Sequence, residues 1–226
     1  MREIVIDTET TGLDPNDGHR IVEIACIELM HHVPTGRKFH RYVNPGREMP
    51  EEALAVHGLT SEFLAKHRPF DTIVDEMTAF IADDPVVIHN AEFDLAFLNM
   101  ELGRLGRPAL ASAYVDTLSM ARRRFPGAPA SLDALCRRFS IDLSSRELHG
   151  AAIDCALLAE VYIELLGGRQ PGLDFVAAAA DRISVGAMID RQREPRPARP
   201  HAPSLEELAA HQAMLAALKS PLWLAA

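Results

Sequence analysis

The chain has 226 residues, with 23 Lys+Arg against 32 Asp+Glu and a net charge of −9. At about 100 to 200 residues per domain that length makes one generous domain or one domain plus an appendage, and 48% hydrophobic with 24% charged residues excludes wholesale disorder and fibrous repeats. The acidity is uneven, with 16 basic against 26 acidic residues over 1–166 and 7 against 6 over 167–226. A polyanionic partner therefore has to be held by cations, a local basic patch or a tether.

From Met1 to about Leu166 short β-rich runs alternate with helical periods, which predicts an α/β domain. EIVID (3–7), RIVEIACIEL (20–29) and RKFHRYV (37–43) read as strands, separated by the turn-rich LDPNDG and VPTG. A short turn makes antiparallel neighbours, so the sheet is expected to be mixed. Helices are expected near 50–56, 69–82 and 92–105, with PVVIHN (85–90) as a strand between the last two. AYVDT (113–117) supplies a fifth strand, and SLDALCRRF (131–139) and AAIDCALLAEVYIELL (151–166) two more helices, the last ended by Gly167 and Gly168. Arg122–Arg124 and Arg137–Arg138 read as solvated helix faces, and Cys155 as core. Beyond 168 the text changes. Four prolines within residues 195–203 read as a linker spanning about 28 Å. Ser204 and Glu207 then form a capping box before a leucine-patterned helix. The expected organisation is thus 1–168 as the main domain, 169–203 as a connecting segment and 204–226 as an amphipathic helix.

No run reaches the 18 or so apolar residues of a membrane span, and the acids in MREIVIDTETTG are foreign to a signal peptide. Cys26, Cys136 and Cys155 are odd in number and form no CxxC pair, so reduced thiols and a cytoplasmic location are expected.

Asp7 and Glu9 sit two apart at the end of the first strand, which puts both carboxylates on one face. A lone DxE pair is commonly a solvated strand end, but this one leaves a run, IVI, that reads as buried. Asp94 falls just after a β-type run and inside the first turn of the next helix, where α/β sheets place ligands and where an acid also favours a helix N-terminus. His149 and Asp154 are five apart, about 140° around a helix, so His149 must precede the helix to approach the same point as Asp154. Four converging carboxylates repel one another, by about 4 kcal/mol for a pair at 4 Å, and hard divalent cations remove that penalty. All-oxygen ligands favour Mg²⁺ or Mn²⁺, and two such ions roughly 4 Å apart serve phosphodiester hydrolysis. A neutral histidine beside them can take a proton from water.

DTETTG (Asp7, Glu9), HNAEFD (Asp94) and HGAAID (His149, Asp154) resemble, in order and spacing, the three motifs of the DEDDh exonucleases, and most of all the DnaQ-like proofreading subunits of bacterial replicative polymerases. NPG near 44 and VHGLT (56–60) add to the match, which covers residues 1 to about 168. The resemblance implies an RNase H-like mixed five-stranded sheet flanked by helices, a flexible C-terminal tail and 3′-to-5′ hydrolysis at a single-stranded 3′ end of DNA. It also implies roles. Asp7 would bridge two metals, Glu9 and Asp154 would hold the nucleophile-side ion, Asp94 would support the other, and His149 would be the base. Thr10, Gly12, Leu13, Val56, His57 and Asn90 occupy positions that line the terminal nucleotide. The catalytic motifs do not separate DNA proofreading from RNA trimming by a free-standing exonuclease, and an adaptor joining polymerase to clamp without catalysis is a third reading. QPGLDF, with Gln170, Leu173 and Phe175, is similar to a sliding-clamp motif and equally an ordinary turn. The last helix, with Leu215, Leu218, Leu222 and Trp223, resembles the segment by which such subunits bind the polymerase alpha subunit.

Overall fold

The computed structural model describes residues 1–144, 148–168 and 202–218. The chain divides into two compact units, Met1–Asp174 and Phe175–Ala226. Strands β1 (Arg2–Thr10), β2 (Ile21–Met30), β3 (Val33–Tyr42), β4 (Val86–Ile88) and β5 (Tyr114–Asp116) form one sheet in the order β3-β2-β1-β4-β5. β1 is antiparallel to β2 and parallel to β4, β2 is antiparallel to β3, and β4 is parallel to β5. The expected mixed five-stranded sheet is therefore observed, flanked by helices on both faces.

Alternation along β1 explains how the sheet is covered. Ile4 and Ile6 point to one side and join Ile24, Phe70, Ile73, Met77, Ile81 and Phe97, from the region of α3 (Val74–Ile81) and α4 (Ala91–Arg104). Val5 points to the other side and joins Ala25 of β2 and Ala121, Leu135, Ala151, Cys155 and Leu158 from α5 (Thr117–Arg124), α6 (Leu132–Phe139) and α7 (Ala151–Leu165). Each fully buried Ile or Phe contributes about 1.5–3 kcal/mol by leaving water. The period of two carries past the core: Asp7 and Glu9 share the α7 side with Val5, while Thr8 shares the α4 side with Ile6. The sheet's hydrophobic pattern thus aims the first two acids at α7.

The hairpin between β2 and β3 turns at His31–His32, both with positive φ (52° and 66°), and VPTG opens β3 instead of forming the turn. Two positive φ values match the right-handed twist of the strands better than an ordinary turn would. At this turn His31 N–H donates to Met1 O at 2.8 Å, and the buried Glu3 Oε2 lies 2.6 Å from His32 Nδ1. The helix expected over 69–82 is interrupted as well. Phe70–Thr72 forms a 3-10 turn before α3 begins. Between α1 (Glu51–His57) and α3 lies a four-residue helix, α2 (Ser61–Leu64), that the pattern did not signal.

Cys26, Cys136 and Cys155 are buried free thiols, and burial raises the pKa of each, with Cys136 pushed up to about 11. Arg122–Arg124 and Arg137–Arg138 are exposed; the Arg138 guanidinium lies 4.4 Å from the Phe125 ring centroid, and Arg124 donates to Glu164 O at the end of α7. In the second unit α8 (Leu205–Ala217) starts at the expected capping box, Ser204 and Glu207 each satisfying the other's backbone N–H. Leu205, Leu208, Met214 and Leu218 are exposed and Leu215 is buried. Gln170, Leu173, Phe175, Leu222 and Trp223 lie outside the described residues. Among the described residues no helix is long and apolar enough to cross a membrane.

Candidate active site

Asp7, Glu9, Asp94, His149 and Asp154 line one cavity of about 600 Å³, together with Thr8, Leu13, Asn90 and Phe93. Three separate segments meet there. Asp7 and Glu9 come from the end of β1, beside a register shift between Glu9 and Thr10 that bends the strand out of its ladder. Asp94 comes from the first turn of α4, and its Oδ1 accepts from Thr8 N–H (3.0 Å) and Thr8 Oγ1 (2.7 Å), so β1 itself fixes this carboxylate. Asp154 comes from the first turn of α7, whose N-cap is Gly150. His149 precedes that helix, and its Nδ1 lies 3.3 Å from Asp154 Oδ2.

The helix starts are themselves held. Asn90 takes a left-handed φ of 68° before α4, and Asp116 Oδ1 accepts from Asn90 N–H (3.0 Å), Ala91 N–H (3.4 Å) and Leu118 N–H (3.1 Å). One carboxylate from the end of β5 therefore caps α4 and α5 together, which stabilises each end by about 1 kcal/mol and sets the position of Asp94.

The carboxylates are gathered at an electrostatic cost. Burial pushes the Asp7 carboxyl well above the usual carboxylate range, and neighbouring Asp94, Asp154, Glu9 and Glu23 push it further the same way. Burial pushes Asp94 up to about 7 although the hydrogen bonds from Thr8 pull it down. A buried, acid-rich cluster of this kind suits a hard divalent cation, because the ion favours the ionised form that burial and repulsion disfavour. Ligand atoms of Glu9, His149 and Asp154 all lie within 4.8 Å of one another, within reach of a single ion.

A second cavity of about 550 Å³ shares Thr8, Glu9, Leu13 and Phe93 with the first. Thr10, Gly12, Leu13, Val56 and His57 line this neighbour, whereas Asn90 lines the acidic cavity. Leu13 is 86% exposed, an apolar side chain held in solvent at the junction of the two. Gly12 is required by packing: a Cβ there would overlap the His19 ring, which bonds Thr11 Oγ1 at 3.1 Å. Burial lowers the pKa of His57, whose Nδ1 accepts from Leu59 N–H at 3.0 Å. The acidic cavity is also lined by His89, Phe93 and Asp133, which sequence reasoning did not single out. His89 and Phe93 stand inside the HNAEFD motif and were open to notice; Asp133 reaches the cavity only because α6 packs on α7.

The exonuclease family model matches residues 4–162. The chain belongs to the exonuclease family, alongside the DNA polymerase III epsilon subunits. The epsilon subunit of Rickettsia felis is 47% identical over 222 residues, which span 96% of this chain and 97% of that protein. That of Escherichia coli is 40% identical over 224 residues, 95% of this chain and 92% of that one. Among solved structures, exonuclease X in complex with 5′ overhanging duplex DNA is 25% identical with a TM-score of 0.58, covering 73% of this chain and 90% of that one. The nuclease domain of 3′hExo, a DEDDh family member bound to rAMP, shares the fold at 17% identity and a TM-score of 0.63 over 73% of this chain and 91% of that one. The protein is a metal-dependent 3′–5′ exonuclease with a proofreading function.

Proposed function

We propose that Asp7, Glu9, Asp94 and Asp154 of this exonuclease would hold two divalent cations, Mg²⁺ or Mn²⁺, and that the enzyme removes mismatched nucleotides from a single-stranded 3′ end of DNA. The observation that carries the reading is the convergence of those four carboxylates and His149 on one cavity. When bound, such cations supply charge neutralisation, acidify the attacking water and stabilise charge on the departing oxygen. The chain's own part is positional. Asp94, held by Thr8, and Asp154, held by the α7 start, keep the carboxylates together while β1 presents Asp7 and Glu9. His149 turns Nδ1 toward Asp154, so Nε2 is the atom that takes the proton from water. Water oxygen bonds to the terminal phosphorus, the bond from phosphorus to the 3′ oxygen breaks, and a 5′-mononucleotide leaves. The neighbouring cavity lined by Thr10, Gly12, Leu13, Val56 and His57, with Asn90 at the acidic side, receives the terminal nucleotide, Leu13 offering an apolar surface to its base. Calorimetric titration with Mn²⁺ at pH 8 tests the cation set: two ions per chain are expected, with both lost in Asp7→Asn, and a single ion or undiminished binding in that variant contradicts it.

An acidic enzyme acting on a polyanion needs delivery, and tethering raises local concentration without basic surface. The C-terminal helix, with its exposed Leu205, Leu208, Met214 and Leu218, is the element offered to the polymerase alpha subunit, and Gln170–Phe175 to the sliding clamp, in the cytoplasm. Deleting residues 169–226 is expected to leave single-strand hydrolysis within about twofold while co-elution with polymerase and clamp disappears in size-exclusion chromatography. Retained co-elution removes this assignment of the tail.

A further inference from the structure

Glu23 belongs to none of the three motifs, yet it is bound into the site. It lies on β2 directly across from Glu9, on the side of the sheet that faces α7, and is 3% exposed. Its two oxygens have separate tasks. Oε2 accepts from Ala151 N–H at 3.2 Å, at the first residue of α7, and Oε1 is 2.7 Å from His40 Nε2 on β3. Ala151 follows the proton acceptor by two residues. The same short loop is pinned at its other end, where His149 N–H donates to Val56 O at 3.2 Å and Leu148 Cδ1 packs closely over Gly58. His149 lies two residues before Ala151, and its Nδ1 is 3.3 Å from Asp154 Oδ2, so the position of the α7 start sets both the ring's backbone and its carboxylate partner.

We propose that Glu23 is a positioning residue for His149: by tying the α7 N-terminus to β2, with His40 holding the carboxylate in place, it fixes the loop that aims the imidazole at the cavity. This rests on the reading of His149 as the proton acceptor. Charge and reach are separable at this position. Glutamine keeps an oxygen for Ala151 N–H and offers its NH₂ to His40, whereas aspartate keeps the charge but retreats by about 1.5 Å, one C–C bond, beyond hydrogen-bonding range.

The test is single-turnover cleavage of a 3′-labelled single-stranded DNA oligonucleotide at saturating Mn²⁺ by the full chain. Glu23→Gln is expected to retain the rate within about threefold, and Glu23→Asp to lose roughly tenfold to a hundredfold with KM changed less than threefold, the range seen when a supporting hydrogen bond to a site residue is removed. In a His149→Ala background Glu23→Asp is expected to cost nothing more, which a general loss of structure or of cation affinity does not reproduce. The reverse order of the two variants, or an undiminished Glu23→Asp effect in His149→Ala, overturns the proposal. A wild-type rate in His149→Ala alone instead removes the proton-acceptor reading on which it rests.

Discussion

Replacing Asp7 with asparagine is expected to cut nucleotide release by at least about a thousandfold, a loss of roughly 4 kcal/mol of transition-state stabilisation, while raising the melting temperature of the metal-free protein. Both effects have one cause. Asp7 is half-buried amid Asp94, Asp154, Glu9 and Glu23, and desolvation first and those neighbours second hold its carboxyl well above the usual range. In the unfolded chain that carboxyl ionises freely, so the folded state bears a penalty at neutral pH that asparagine, nearly the same shape, does not. The same change deletes one of the acids that would hold the cations. Activity and stability should therefore move in opposite directions, which separates a functional acid from one that holds the fold together. Thermal melts in EDTA beside single-turnover assays with Mg²⁺ check the pair; a variant that is both inactive and less stable places Asp7 among structural residues.

The second large effect couples pH to metal. Burial raises Asp94 to about 7, above its unfolded value of 3.8, so ionising it costs folding free energy as pH climbs through that window, and Asp7 adds to the same trend. His57 and His89 act oppositely, since burial lowers their pKa values and stability is regained as they lose protons near neutrality. The difference between metal-saturated and metal-free melts removes whatever part of these histidine effects the cation leaves unchanged. Cations require the ionised carboxylates, so the metal-induced rise in Tm is expected to be small at pH 5 and large at pH 8. At a hundredfold excess over Kd it amounts to about 2.7 kcal/mol, or about 5 to 10 °C for a protein of this size. A shift that is equal at both pH values removes the carboxylate cluster as the binding site.

The parts of the site legible from sequence are those whose geometry is local. Two acids at period two on a buried strand, an acid in a helix's first turn, and a histidine held out of a helix by glycine all follow from backbone geometry, and all five residues do line one cavity. Long-range decisions were hidden. VPTG carries the stronger turn chemistry, but the hairpin turns at His31–His32, where His31 N–H donates to Met1 O, a partner 30 residues away in sequence. The helix α5 depends on Asp116, which also caps α4, and a short Arg-rich stretch gives no sign of such a shared cap. Glu23 looks like one more alternating acid in a strand; only the approach of α7 across the sheet reveals its partner, Ala151 N–H.

Digestion of a primer carrying a mismatched 3′ nucleotide is the most direct test of the acid cavity as a proofreading site. With Mg²⁺ or Mn²⁺ the wild-type chain is expected to release the mismatched residue as a 5′-mononucleotide, and with EDTA or in Asp7→Asn to release none. Equal release in EDTA, or endonucleolytic products in place of mononucleotides, contradicts the account.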